Sequence, residues 1–262
     1  MRFGAGHGVK PVQTTPGPRG WDPDMIPDMA CDLRGPVDLI GNPVTSWGNR
    51  GSIGNTFATA TALNQPPRGS LNGHRTVAYD GHEDSTPYTG ANGDWSFMHD
   101  GTGGTMFIIG SLIAPAGTRH VIDNLREVNT ETGIGVQRIS DDRVRFRMGN
   151  ATGVLMVVDT SANDAWAGDA PFVMTIRTST ATFGGQNYQV RINGNTAVQG
   201  VFGAAASANA PDYPMTIGSV AGEGQSAPIN LGEMFAYTSL LSGANVGLVE
   251  AWAAARYNFI LP

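Results

Sequence analysis

The chain has 262 residues, of which 36 are Gly and 16 are Pro, and only 15% are charged, against roughly 25% in ordinary soluble domains. Its formal net charge of -6 excludes the basic footprint of a general nucleic-acid binder, and it offers no apolar run of about 18 residues to cross a bilayer as a helix. The length suits one large, turn-rich domain, and the lone Cys31 excludes an intrachain disulfide and reads as a small buried hydrophobe.

Residues 1–20 contain Gly4, Gly6, Gly8, Pro11, Pro16, Gly17, Pro18 and Gly20 and too few apolar side chains to bury. They read as an extended arm, which leaves a single domain over residues 21–262. The first residues lack the apolar stretch of a secretory signal, which predicts synthesis without Sec export. Residues 21–104 are rich in loop formers, with short strands expected at 75–79 and 95–99.

From about residue 105 the apolar residues follow period two, the mark of half-buried strands. Val144, Phe146 and Met148 alternate with Arg143, Arg145 and Arg147. Phe172, Met174 and Ile176 alternate with Val173, Thr175 and Arg177, and Tyr188, Val190 and Ile192 with Asn187, Gln189 and Arg191. Residues 105–113 are apolar enough for a strand buried on both faces, and 153–158, 215–220 and 229–238 supply further strands. Turn signals at Asp141 and Asp142, Gly149 and Asn150, Gly184 and Gly185, and Asn193-Gly194-Asn195 separate them. The pattern predicts an all-β antiparallel sandwich. One helix is expected at 244–257, capped by Ser242, with Leu241 as a staple and Leu248, Trp252 and Ala255 on one face.

Two stretches carry a resemblance. The first is the run from Val44 through Trp47, Gly48, Asn49, Arg50 and Gly51, then Asn55, Pro67, Asn72-Gly73, and Val77 to Asp84. The second is Ile217-Gly218-Ser219, Gly232 to Tyr237, Leu240-Leu241-Ser242 and the helix through Trp252 and Tyr257. Their order resembles laminin-G-like, concanavalin A-like lectin jelly rolls, and Trp95 to Gly101 followed by Thr105 to Ile109 looks like versions of that domain in tailed-phage virion proteins.

The resemblance implies a jelly roll of two antiparallel sheets with one short C-terminal helix, to which the extended N-terminal arm read from composition is added. It implies a non-enzymatic virion structural protein of a tailed phage, a capsid (head) decoration protein made in the host cytoplasm and located in the virion. Its partners would be the major capsid protein or a tail protein, with a homo-oligomer and a glycan as further partners, and neither nucleic acid nor membrane. Arg2, Phe3, Lys10 and Arg19 of the arm and Arg143, Arg145 and Arg147 would be the assembly contacts. The alternative is a carbohydrate-binding module or tail-associated adhesin that recognises a bacterial surface glycan. Fold alone does not choose between them.

Chemistry on such a fold would need a recognisable constellation. A glucanase-like Glu-x-Asp-x-x-Glu strand is missing, and the nearest acidic groups, Glu127 with Glu131 and the Asp80 to Asp84 run, lack the two-carboxylate spacing. No cofactor is expected, the exception being calcium at Asp80, Glu83 and Asp84 with help from Asp94 or Asp100. The competing reading is a polar turn whose carboxylates cap backbone N–H groups. His82 and His99 have no zinc-site spacing, there is no Gly-x-Ser-x-Gly, and the glycines at 101–104 and 222–224 read as turns rather than phosphate loops. For a glycan or partner contact the loop aromatics Tyr88 and Trp166 are the candidates, since Trp47 and Trp95 read as core. The Arg143, Arg145, Arg147 face has two readings, a solvated outer face or a dock for an acidic neighbour.

Overall fold

The computed structural model describes residues 20–59, 61–112, 117–126, 130–139, 143–160, 170–218 and 226–261. Arg2, Phe3, Lys10 and Arg19, with nearly the whole arm, and Trp166 lie outside them.

In chain order the elements are β1 (Met29–Arg34), the one-turn helix α1 (Gly35–Asp38), β2 (Leu39–Ile40), β3 (Ser46–Gly48), β4 (Thr56–Ala58), β5 (Arg68–Leu71), β6 (His74–Tyr79), β7 (Ser85–Pro87), β8 (Gly104–Leu112) and β9 (Arg119–Asp123). They continue as β10 (Thr132–Ile139), β11 (Arg143–Asn150), β12 (Val154–Asp159), β13 (Pro171–Phe183), β14 (Gln186–Ile192), β15 (Asn195–Gly200), β16 (Thr216–Gly218), β17 (Ile229–Tyr237) and helix α2 (Gly243–Tyr257). An eight-stranded sheet runs β15-β14-β13-β8-β17-β6-β5 with β1 also on β17; a six-stranded sheet runs β12-β11-β10-β9-β16-β7; β2-β3-β4 form a third, small sheet. Every ladder between these strands is antiparallel. The expected antiparallel sandwich with a C-terminal helix is the fold of the described chain.

The main core lies between the two large sheets and takes the alternating sets read from the sequence: Val144, Phe146, Met148; Phe172, Met174, Ile176; Tyr188, Val190, Ile192. Cys31, Trp47 and Trp95 are fully buried in it. A second cluster, with Phe107, Ile109, Val173, Phe235 and Tyr237, lies on the opposite face of the eight-stranded sheet beneath α2. That is why β8 is buried at all nine positions, and why Val173 and Thr175, expected on an outer face, are buried too.

Three details differ from the expectation. Residues 95–99 are not a strand: Asn92–Met98 form a 3-10 turn in which Trp95 stacks on Phe97 at 5.9 Å. Gly149 and Asn150 belong to β11, and the turn follows them, where Ala151 takes the left-handed conformation and Asn150 Oδ1 accepts from the Thr152 N–H at 3.0 Å. Helix α2 is capped by Ser242 as expected, its side chain accepting from the Asn245 N–H. Its buried stripe, however, is Val246, Val249, Ala253 and Tyr257. Ala255 is exposed and Trp252 sits at the rim, edge-on to Phe235 at 5.5 Å and flanked by the guanidinium groups of Arg34 and Arg256. The Asn193-Gly194 hairpin forms with both residues at positive φ, as a tight two-residue turn requires.

Candidate functional site

With α2 on the outer face of the eight-stranded sheet, the outer face of the six-stranded sheet carries the polar side chains. Arg147 on β11 and Asp123 on β9 both pair in register with Gly135 on the strand between them. A Cβ at Gly135 would stand 2.7 Å from Asp123 Oδ2, so glycine there leaves the corridor through which Arg147 Nη2 reaches Asp123 Oδ2 at 2.7 Å. The same carboxylate oxygen holds His120 Nδ1 at 2.8 Å, and Asp123 Oδ1 accepts from the Leu125 N–H at 2.6 Å. Complete burial pushes the Asp123 carboxyl above the usual range, against the pull of His120 and Arg147.

Arg147 continues toward the sheet end, donating to the carbonyls of Leu125 and Arg126. There the β9–β10 loop meets the long loop after β15. The Arg126 guanidinium lies 5.4 Å from the Tyr213 ring centre, and its Nη1 donates to Tyr213 Oη at 3.2 Å. Tyr213 Oη donates to Glu131 Oε1 at 3.2 Å, while Glu131 Oε2 accepts from the Arg126 N–H at 2.6 Å. Backbone bonds from Asp212 N–H to Thr132 O and from Ala151 N–H to Glu131 O, both 3.0 Å, stitch the three loops together, and Asn150 Nδ2 donates to Ala205 O at 2.7 Å. Tyr213 is half-buried and Arg126 and Asp212 are exposed, so an aromatic ring, a cation and two carboxylates share one solvent-facing end of the sandwich.

The residues singled out in the sequence fall elsewhere or are already engaged. Tyr88 is not an exposed loop aromatic. It is 3% exposed, packed on Phe57 and Trp95 at 5.3 and 5.9 Å, with its hydroxyl donating to Asp94 Oδ2 at 2.8 Å. A sugar cannot stack on a ring both of whose neighbours are aromatic core. Asp80, Glu83 and Asp84 do not converge: Asp84 Oδ2 accepts from the Asp80 N–H at 2.9 Å, Asp80 Oδ1 accepts from the His82 N–H at 2.8 Å, and Glu83 is exposed. The run is a self-capped turn, and burial pushes the Asp84 carboxyl up to about 6. No group of three potential metal ligands occurs among the described residues. Of the arginine face, Arg145 forks onto both oxygens of Asp159 at 2.8 and 3.0 Å, with Arg143 3.7 Å from the same carboxylate. These arginines are engaged by a carboxylate of the domain itself, which favours a self-satisfied outer face over a dock for acid. His99 is buried with Nδ1 at 3.1 Å from Ser207 O, anchoring the long loop. Tyr213 carries one legible signal in the sequence: Pro211 and Pro214 bracket Asp212-Tyr213, a rigid presentation of an aromatic.

No protein-family model matches this chain, and no curated protein matches it. Solved structures do. The binding domain of Paraclostridial Mosquitocidal Protein 1 superposes with a TM-score of 0.63 at 11% identity, over 85% of this chain and 52% of that one. The ligand binding domain of botulinum neurotoxin serotype D, in complex with N-acetylneuraminic acid, gives 0.62 at 8% identity over 85% and 50%. Trypanosoma rangeli sialidase in complex with sialic acid gives 0.59 at 11% identity over 86% and 33%. At these identities the likeness establishes a β-sandwich fold. The chain spans about half of the toxin domains and a third of the sialidase.

Proposed function

We propose that this chain is a non-catalytic glycan-binding module whose contact site is the loop end built from Tyr213, Arg126, Glu131 and Asp212. The observation that carries the reading is the Tyr213 ring, half-exposed beside prolines and tied by hydrogen bonds to both Arg126 and Glu131. A tyrosine face packs against the C–H surface of a pyranose, while a guanidinium and carboxylates fix its hydroxyls. The site needs no large rearrangement, because three loops are already bonded to one another around it. Structural likeness to a toxin ligand binding domain solved with N-acetylneuraminic acid and to a sialidase solved with sialic acid supports a glycan as the ligand class.

The test is calorimetric titration with sialylated and neutral oligosaccharides, wild type against Tyr213→Ala. Binding by the wild type that is lost in Tyr213→Ala, with the melting temperature unchanged, is the expected result. Equal binding by both proteins refutes this site, and release of sugar from a polysaccharide panel refutes the non-catalytic half. Display of the module on a virion through residues 1–20 belongs to the same proposal and rests on the sequence resemblance alone. Deleting that segment is expected to abolish incorporation while leaving glycan affinity intact.

A further inference from the structure

The site proposed at Tyr213 depends on where the Arg126 guanidinium lies, and Arg126 sits beyond the point where the sheet holds the chain. The ladder between β9 and β10 ends with Asp123 opposite Gly135, and one further backbone bond, from the Asn124 N–H to Ile134 O at 3.0 Å, closes it. Leu125 and Arg126 follow. Among the described residues neither of them makes a backbone-to-backbone hydrogen bond.

Charged side chains stand in for the missing ladder, as the backbone's obligatory donors and acceptors require. The Leu125 N–H donates to Asp123 Oδ1 and the Arg126 N–H to Glu131 Oε2, both at 2.6 Å. The two carbonyls accept from one arginine on another strand: Arg147 Nη2 reaches Leu125 O and Arg147 Nη1 reaches Arg126 O, each at 3.0 Å. The same Nη2 is fixed to Asp123 Oδ2 at 2.7 Å, and that oxygen also holds His120 Nδ1. The Arg147 side chain is only 13% exposed and rises from the middle of β11, so it ties the loop to a rigid part of the sheet.

We infer that Arg147 is a positioning residue for the glycan site: its guanidinium fork fixes the Leu125 and Arg126 carbonyls and thereby sets the Arg126 side chain against the Tyr213 ring. This rests on the glycan reading of Tyr213, and in this role Arg147 acts through Arg126 without touching the sugar. The geometry is particular to arginine. A guanidinium presents its N–H groups in one rigid plane, whereas a lysine ammonium keeps the charge beside Asp123 but cannot span two carbonyls and a carboxylate at once. Without the fork, Arg126 must be ordered when the sugar arrives, and affinity falls by that cost.

The test uses Arg147→Lys, Arg126→Ala and the double variant beside wild type, titrated calorimetrically with sialylated and neutral oligosaccharides that include sialyllactose and lactose. The Arg126 side-chain protons are followed by NMR in the same proteins that keep Arg126. In the wild type the Arg126 guanidinium carbon lies 5.4 Å from the Tyr213 ring centre, which gives the neighbouring protons a ring-current shift. Arg147→Lys is expected to lose that shift and to weaken binding about tenfold, and in the Arg126→Ala background to cost nothing further, the non-additivity of residues that act as one unit. Amide resonances of the core strands verify that each variant is folded. An Arg147→Lys protein that keeps the shift, binds as tightly as wild type, or weakens binding equally when Arg126 is absent would overturn the inference. A wild type that binds no sugar of the panel overturns the glycan reading instead, and the ring-current comparison then decides by itself whether Arg147 places Arg126.

Discussion

The two large sheets solve the same problem, an outer face that water would reach, with opposite materials. The eight-stranded sheet turns Phe107, Ile109, Val173 and Phe235 outward and covers them with the Val246, Val249, Ala253 and Tyr257 stripe of α2. The six-stranded sheet has no helix on it among the described residues, yet Asp123 is 0% exposed there. Its cover is the Arg147 side chain lying across Gly135, an apolar stem with a charged tip. The helix-covered face is held chiefly by apolar burial, which tolerates small displacements, with Glu250 of α2 fastened at its edge by Thr175 and Arg191. The other is held by oriented bonds, which do not: remove one partner and the rest lose a hydrogen bond in a place water does not reach.

Breaking the oriented face has the larger expected effect. Asp123→Ala strands Arg147 and His120 and should lower unfolding free energy in urea by roughly 3–5 kcal/mol. Adding Arg147→Met should recover part of that, since the second change removes the charge the first left unpaired. Equal or additive losses would mean that the network is not what seals this face.

The helix face has its own buried ionisable group, which sharpens the contrast. Burial pushes the Glu233 carboxyl up to about 8, against the pull of Arg256 and Arg34. The folded state therefore holds this proton more tightly than the unfolded one, whose value is near 4.5. Its stabilising contribution is complete below about pH 4.5, falls as pH rises toward 8, and is level above that. Glu233→Gln should flatten this limb of the stability–pH curve, and an unchanged limb would assign it to another group. A smaller effect is expected from Val249→Ala, about 2 kcal/mol for two lost buried carbons and a small cavity. Least of all, Tyr213→Ala should change stability by under about 0.5 kcal/mol, read by thermal melting, because that ring serves neither seal.

Much of the sandwich was legible because period two is written plainly where one face is wet: β11 shows its arginines and its core residues in strict alternation. Legibility failed where both faces are dry or where strands are very short. Val173 and Thr175 looked outward until α2 was placed over them, and β2, β3 and β4, of two or three residues each, are too brief to show a period. The site was less legible still. Tyr88 sits in a polar-looking loop but its ring turns inward, a choice made by Phe57 and Trp95 rather than by its neighbours in sequence. Tyr213 meets Arg126 and Glu131 across more than eighty residues, and nothing local announces that meeting.

The position of β17 fixes when this protein can exist. It is bonded to β8 on one side and to β6 and β1 on the other, so the strand that joins the larger sheet comes after all of its partners in chain order. Until it leaves the ribosome, β1, β6 and β8 have no common neighbour and their apolar faces wait uncovered. Pairings this distant in sequence fold slowly and expose the nascent chain to aggregation. The larger sheet cannot close until residues 229–237 have been made, so a chaperone that shields β8 until β17 arrives should raise the yield of folded domain.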